Sequence, residues 1–250
     1  MKKNIAIIGY GRFGRLLSEI LMPFGKISIV TDQKIRNKNL SLIEYPDLER
    51  MDWVIPAVPI SALESTLKKI APFLKKGSLV MDVCSVKVYP CKLLKKYVPE
   101  GVQIIGTHPM FGPDSAKNGL EGLQMVICPL RQTAKALREV RVAFSRLKLK
   151  IIQITPQDHD KQAAKNLALV HFIGRALKMI GVQKQKITTL GYERLLGINE
   201  TVNNDTWQLF FDMQKYNPYA GKVRSDFLKG LLAFEKKIKT SLKSKITNYK

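Results

Sequence analysis

The sequence predicts an α/β chain, with a mainly parallel sheet in residues 1–154 and a smaller all-α region in residues 155–250. Three observations lead there. Short apolar runs alternate with helix-length segments through the first half. A glycine-rich turn, Gly9-Tyr10-Gly11-Arg12-Phe13-Gly14, follows the first of these runs. Beyond Thr155-Pro156 the apolar residues recur only at helical spacing.

The first run, Ile5-Ala6-Ile7-Ile8, is nearly continuous, as in a strand buried on both faces. Leu16, Leu17, Ile20 and Leu21 after the glycine turn have helical spacing. Further strands are expected at 27–30, 53–58, 79–83, 102–105, 124–128 and 151–154, with Pro56 weakening the third. Ser61 is placed to cap a helix reaching about Leu74. In the second half, Thr155 or Asp158 starts a helix that runs to about Ile180. More helices are expected at 186–197, 203–216 and 225–242.

Composition bounds the function. With 250 residues, 45% hydrophobic and 25% charged, the chain matches a folded globular protein rather than a disordered one. No stretch approaches the ~20 apolar residues that span a bilayer, so no membrane partner is expected. Met1-Lys2-Lys3-Asn4 leads straight into the first apolar run, without the pattern of a secretory leader, and a cytoplasmic location is expected. The three cysteines, Cys84, Cys91 and Cys128, fit a reducing compartment. The three histidines, His108, His159 and His171, are too scattered to suggest a zinc site, and no metal is expected. The 42 Lys and Arg residues against 20 Asp and Glu give +22. These cations are dispersed, from Lys68-Lys69 and Lys75-Lys76 to Lys95-Lys96 and the tail at 229–250. No zinc-finger spacing or RNA-binding aromatic motif goes with them, so nucleic acid is not expected as the main partner, and an acidic small-molecule substrate or a Lys-rich proteome are the other readings of the charge.

The glycine turn is a G-x-G-x-x-G between a strand and a helix, the context of a Rossmann-type dinucleotide-binding domain. Gly9 permits the tight turn, Gly11 admits a pyrophosphate and Gly14 allows close helix–strand packing. Arg12 and Phe13 lie on the same loop and are assigned to the cofactor with it. Asp32, at the end of the second strand, is positioned to accept from ribose hydroxyls and favours NAD. Lys34 and Arg36 beside it are the residues that would receive the 2′-phosphate of NADP. Two further segments, Asp82-Val83-Cys84-Ser85-Val86-Lys87 and Gly106-Thr107-His108-Pro109-Met110-Phe111-Gly112-Pro113-Asp114-Ser115, follow strands. They should open onto the same crevice. A histidine there serves as a base near neutral pH, and a neighbouring hydroxyl orients it.

Together, the glycine loop, Asp82–Lys87 and Thr-His-Pro-Met-Phe-Gly-Pro at 107–113 resemble the prephenate/arogenate dehydrogenases of tyrosine biosynthesis. The resemblance continues through His159-Asp160-Lys161-Gln162-Ala163-Ala164 and the helix from Ala168 to Arg175. Asn203-Asn204-Asp205-Thr206-Trp207 onward is similar to the plant-type arogenate branch. It implies an oxidative decarboxylation of a cyclohexadienol, with a nicotinamide cofactor and a homodimer built through the helical domain. His108 is implied as the acceptor at the ring hydroxyl, Ser85 as its orienting partner and His171 as a second active-site histidine. Asp114 is expected to pair with the ammonium of arogenate, which prephenate lacks, so arogenate is favoured with prephenate as the alternative. Where many bacterial members carry an arginine-containing Gly-Phe-Arg-Asp segment, this chain has Gly191-Tyr192-Glu193-Arg194. Arg175, Lys87 and Arg224 are the remaining candidates for a substrate carboxylate. His159, at a helix start, reads as a capping or interface residue, and Cys84 as a packed one. No regulatory module is expected after the helices. A different Rossmann dehydrogenase, or a non-catalytic NAD-binding sensor, is the more distant alternative.

Overall fold

Strands whose residues alternate between two apolar faces need cover on both, and the computed structural model supplies it with helices on either side of one sheet. It describes residues 2–35 and 37–247; Arg36 and the last three residues of the basic tail lie outside them. β1 (Lys3–Ile8), α1 (Arg12–Leu21), β2 (Gly25–Val30) and the short β3 (Ser41–Leu42) build one wing. β4 (Trp53–Pro56), α2 (Leu63–Ile70), β5 (Leu79–Asp82), α3 (Val88–Tyr97), β6 (Gln103–Pro109), β7 (Gln124–Arg131), α4 (Ala134–Arg146) and β8 (Lys150–Gln153) build the other. The strand order is β3-β2-β1-β4-β5-β6-β7-β8. The order reverses beside β1, so the loop after β1 lies at the switch point where α/β sheets bind ligands.

The period-2 pattern explains the two cores. Ile5 and Ile7 join Leu17, Leu21, Ile29, Ile55, Met81, Ile105, Val140 and Phe144 on the α1/α4 face. Ala6 and Ile8 join Val54, Leu63, Leu67, Ile70, Val80, Leu93, Leu94 and Ile104 on the α2/α3 face. The sheet is less uniformly parallel than expected. β6 and β7 pair antiparallel and β8 pairs parallel with β7, so the last two strands run opposite to the rest. β6 and β7 also extend beyond the expected strands, and β6 carries His108 within it, paired with Val126, instead of in a following loop. Ser61 does not cap α2; its amide and hydroxyl both donate to Asp212, each at 3.0 Å.

The second half is helical. Thr155 caps α5 (Pro156–Ala163), accepting from the Asp158 amide at 3.1 Å. A π-helical stretch, Ala164–Leu169, joins it to α6 (Val170–Met179). Such an expanded turn inside a helix is frequent near functional sites. α7 (Leu190–Asn203), α8 (Trp207–Tyr216, capped by Thr206) and α9 (Ala220–Thr247) follow. Each begins or ends a few residues from its expected bounds, because capping threonines rather than apolar periodicity set the starts of α7 and α8. This half buries few large apolar side chains among the described residues, chiefly Val202, Phe210 and Met213 beside Ala163, Ala164, Ala168 and Ala220. Leu231, Leu232, Phe234, Ile238 and Leu242 of α9 are exposed. No helix among the described residues is long and apolar enough to cross a membrane.

Candidate active site

The carboxyl ends of β1, β4, β5 and β6 lie along one edge of the sheet, and the helical half packs against that edge. At the end of β1, Gly9 has φ +99° and a Cβ there would meet the Ala57 carbonyl oxygen at 2.6 Å, so only glycine fits. A Cβ on Gly14 would lie 2.3 Å from the Gly9 carbonyl oxygen, which explains the tight seat of α1. Gly11 differs: a Cβ there would meet no atom within 4 Å. It starts α1 without a side-chain cap, leaving open space in front of free helix amides. That cradle fits a dinucleotide pyrophosphate. Asp32 is exposed at the bend after β2.

The other members of the loop behave differently from expectation. The Arg12 guanidinium is engaged by groups of the protein. It donates to the Asn204 carbonyl at 2.6 Å and to Asp114 Oδ2 at 2.8 Å, and lies 3.7 Å from Asp205 Oδ1. Phe13 packs against the α1/α4 core. Arg15 lies beside the second strand's end, donating to Gln33 Oε1 at 3.3 Å.

His108 is buried, and its Nδ1 lies 2.9 Å from His159 Nε2. His159 Nδ1 in turn lies 2.8 Å from Asp160 Oδ1. Both carboxylate oxygens of Asp160 accept backbone amides at the head of α3, from Lys87 at 2.7 Å and from Val88 at 2.9 Å. Asp160 therefore caps a helix of the other half, where its charge meets the positive helix end. Burial, followed by the neighbouring His159 and Lys87, holds the His108 imidazole well below its ordinary pKa, so the ring is neutral at physiological pH. His159 is thus no peripheral cap. Ser85, beyond the end of β5, has a buried Oγ with no hydrogen-bond partner among the described residues. An orphaned hydroxyl of this kind is satisfied when a ligand supplies the partner.

Lys87 does not face a substrate. It is 0% exposed; its ammonium pairs with Asp82 and donates to the Thr107 carbonyl at 2.6 Å. Burial works against this charge, but Asp82 and the groups beside it together raise its pKa, and the lysine stays protonated. Arg224 is engaged by Gln214 and lies over the Phe172 ring, 6.0 Å from its centroid. Arg175 is the remaining cation. Its guanidinium stacks 4.2 Å from the Trp207 centroid and donates to the Asp205 carbonyl, while its buried Nε lacks a partner among the described residues. One turn earlier on α6, His171 has an orphaned buried Nδ1, and its Nε2 is 3.8 Å from Asp205 Oδ2. Burial and then Arg175 lower its pKa to about 4.

Asp114, expected to be free for an ammonium, is already paired. Arg12 holds Oδ2, and Lys117 lies 3.1 Å from Oδ1. The Arg12 hydrogen bond, followed by that of Lys117, keeps its carboxyl below the usual carboxylate range. Asp205, which sequence reasoning quoted only as part of a resemblance, is the less satisfied carboxylate. Its ion pairs are long, and burial raises its pKa despite Arg12.

The fold and this edge define a nucleotide-binding α/β protein with an appended helical half that completes the crevice. Residues 33–153 match a family model described as prephenate dehydrogenase, nucleotide-binding domain; residues 176–249 match one described as TYRAAT1-like, C-terminal domain. The chain carries a nucleotide-binding domain of the prephenate dehydrogenase family. Arogenate dehydrogenase 2, chloroplastic, of Arabidopsis thaliana is 34% identical over 87% of this chain and 64% of its own length. Arogenate dehydrogenase 1, chloroplastic, of the same plant is 31% identical over 87% of this chain and 36% of its own length. The chain therefore spans less than two thirds of either relative. Among solved structures, prephenate dehydrogenase from Aquifex aeolicus in complex with hydroxyphenyl propionate and NAD+ superposes with a TM-score of 0.77. The match covers 100% of this chain and 95% of that one at 19% identity. Synechocystis arogenate dehydrogenase gives 0.70, covering 95% and 92% at 21% identity. At such identities the likeness is one of fold.

Proposed function

We propose that this chain catalyses the oxidative decarboxylation of arogenate to tyrosine, with prephenate as the competing substrate. The observation that carries this reading is the pairing of a neutral buried His108 with an orphaned Ser85 hydroxyl at adjoining strand ends of the cofactor edge. The Gly9–Gly14 cradle would hold the pyrophosphate of a nicotinamide dinucleotide, which would supply the hydride acceptor. His108 accepts the proton of the C4 hydroxyl as C4 loses hydride. The C1–carboxylate bond then breaks as carbon dioxide leaves, and its electron pair makes the ring aromatic. The proton returns from His108 to the phenolate oxygen. Ser85 donates to or accepts from the same hydroxyl and fixes its direction. Arg175, stacked and desolvated, binds a substrate carboxylate. His171 lines the same region in its neutral form.

The preference for arogenate rests on Asp205 rather than on Asp114. A partly buried carboxylate with only long ion pairs gains most from an incoming ammonium, and it repels the purely anionic prephenate. The exposed Asp32 supports NAD, whereas Arg15 beside Gln33 is the group that would serve a 2′-phosphate. The exposed apolar stripe of α9 and the sparse core of the helical half support a homodimer through residues 155–250. The three free, buried cysteines support a reducing compartment, with the cytoplasm as our assignment.

The test is reduced-cofactor formation by the purified chain with arogenate or prephenate, each with NAD and NADP. Turnover of arogenate with NAD is expected. Silence in all four mixtures from folded, cofactor-binding protein would overturn the proposal.

A further inference from the structure

We propose that His159 and Asp160 are positioning residues that fix the ring tautomer of His108 and balance the charge it acquires during turnover. This rests on the dehydrogenase reading above.

The argument is one of donors and acceptors. The two backbone amides at the head of α3 are fixed donors, and they take both oxygens of Asp160 as acceptors. Asp160 Oδ1 therefore faces His159 Nδ1 as an acceptor too, and that nitrogen carries the hydrogen. In the neutral ring His159 Nε2 is then a bare acceptor. Its 2.9 Å partner, His108 Nδ1, must be the donor. That leaves Nε2 of His108 without a proton, as a base for a hydroxyl requires. A buried ring of low basicity takes up a proton only if a counter-charge is linked to it, and Asp160 is that charge, one imidazole away.

The network has a second feature. His108 belongs to β6, while His159 and Asp160 belong to α5, so the base is correctly set only when the two halves are docked. The docking is reinforced at Asp160 itself, whose carbonyl accepts from Asn217 Nδ2 at 2.9 Å. The other charged and titratable groups around the pair are Lys87 from α3, Asp82 from β5, and the thiols of Cys91 and Cys128. Lys87 and Asp82 neutralise each other and leave Asp160 as the uncompensated anion of the chain.

The full chain, with 15N-labelled imidazoles, tests this directly, because only three histidine rings contribute signals. The resting protein is expected to show His108 protonated at Nδ1 and bare at Nε2. In Asp160→Asn the amide oxygen keeps the place of Oδ1, where it accepts from the Lys87 amide and from His159 Nδ1, so both tautomers are kept and only the counter-charge is lost. Loss of that charge is expected to lower kcat by about a hundredfold. The KM is expected to stay within about threefold, because substrate contacts are untouched. The acid limb of the kcat/KM profile is expected to move to lower pH, since the lost carboxylate no longer favours the protonated ring. His159→Gln offers a carbonyl to His108 Nδ1 but breaks the link to Asp160, so it should keep the tautomer and lose about tenfold in kcat. A wild-type His108 protonated at Nε2 would overturn the proposal. So would a folded Asp160→Asn protein whose acid limb is unmoved. The ring signals are read without substrate, so failure of turnover in the wild type counts against the dehydrogenase reading and leaves this test standing.

Discussion

Two polar clusters lie between the halves of this molecule, and they are built on opposite principles. Around Asp160 the groups are sealed and matched: Asp82, Lys87 and Asp160 are 0% exposed, and their carboxylate oxygens and ammonium are hydrogen-bonded within the protein. Around Asp205 the groups are looser. The ion pairs to Arg12 and His171 are 3.7 and 3.8 Å, and His171 Nδ1 and Arg175 Nε have no partner among the described residues. A matched buried network holds geometry; an unmatched one waits for a ligand. In our proposal the first cluster is the frame that orients His108, and the second is the surface that reads the substrate.

Breaking the frame should have the largest effect. Lys87→Met leaves the Asp82 carboxylate buried without its cation, which costs about 3–5 kcal/mol of folding stability, measured by urea unfolding. A loss below about 1 kcal/mol would mean that the pair is wetter than its burial indicates. Acid is the second lever. The His171 pKa is lowered to about 4, and that of His108 is lowered too. Below the ordinary value near 6.5 the unfolded chain binds protons that the native rings refuse. Stability is therefore flat above that pH and falls between about 6.5 and 4, by roughly 3 kcal/mol at most for His171 alone. Unfolding midpoints across that range check the slope.

Within the site, His108→Ala should keep cofactor affinity and lose at least about a hundredfold in kcat. Unchanged turnover would remove the histidine from the chemistry. Arg175→Lys touches the looser cluster only. It should raise KM about tenfold with little change in kcat, because a stacked guanidinium binds ground and transition states alike. An equal fall in kcat and kcat/KM would instead put Arg175 into the reaction.

The two clusters also differ in how far they were legible from sequence. The sheet was largely readable, since Ile5–Ile8, Leu79–Asp82 and Gln124–Cys128 are apolar runs whose alternation matches two covered faces. Their direction was not, because an apolar run reads the same both ways, and the reversal of β7 and β8 appears only in the pairing. The glycine cradle was legible because local backbone geometry demands it. The frame was not. Lys87 and Asp160 meet across 73 positions, and a lysine two residues after a serine at a strand end looks like a solvated or substrate-binding group. His159 was readable as a residue but not as a relay, since its partner His108 is 51 positions away. The ion pair of Asp114 was hidden for the same reason: the Arg12 guanidinium that holds it is 102 positions upstream.

Asp205 and Asp114 are the two carboxylates that could meet the ammonium of arogenate. The decisive measurement is the ratio of kcat/KM for arogenate over prephenate in the wild type, Asp205→Asn and Asp114→Asn. We expect a wild-type ratio well above one, a fall of at least about tenfold in Asp205→Asn from loss of a charge-assisted contact, and little change in Asp114→Asn. A ratio that collapses in Asp114→Asn and persists in Asp205→Asn would contradict the assignment of the looser cluster as the substrate-reading surface.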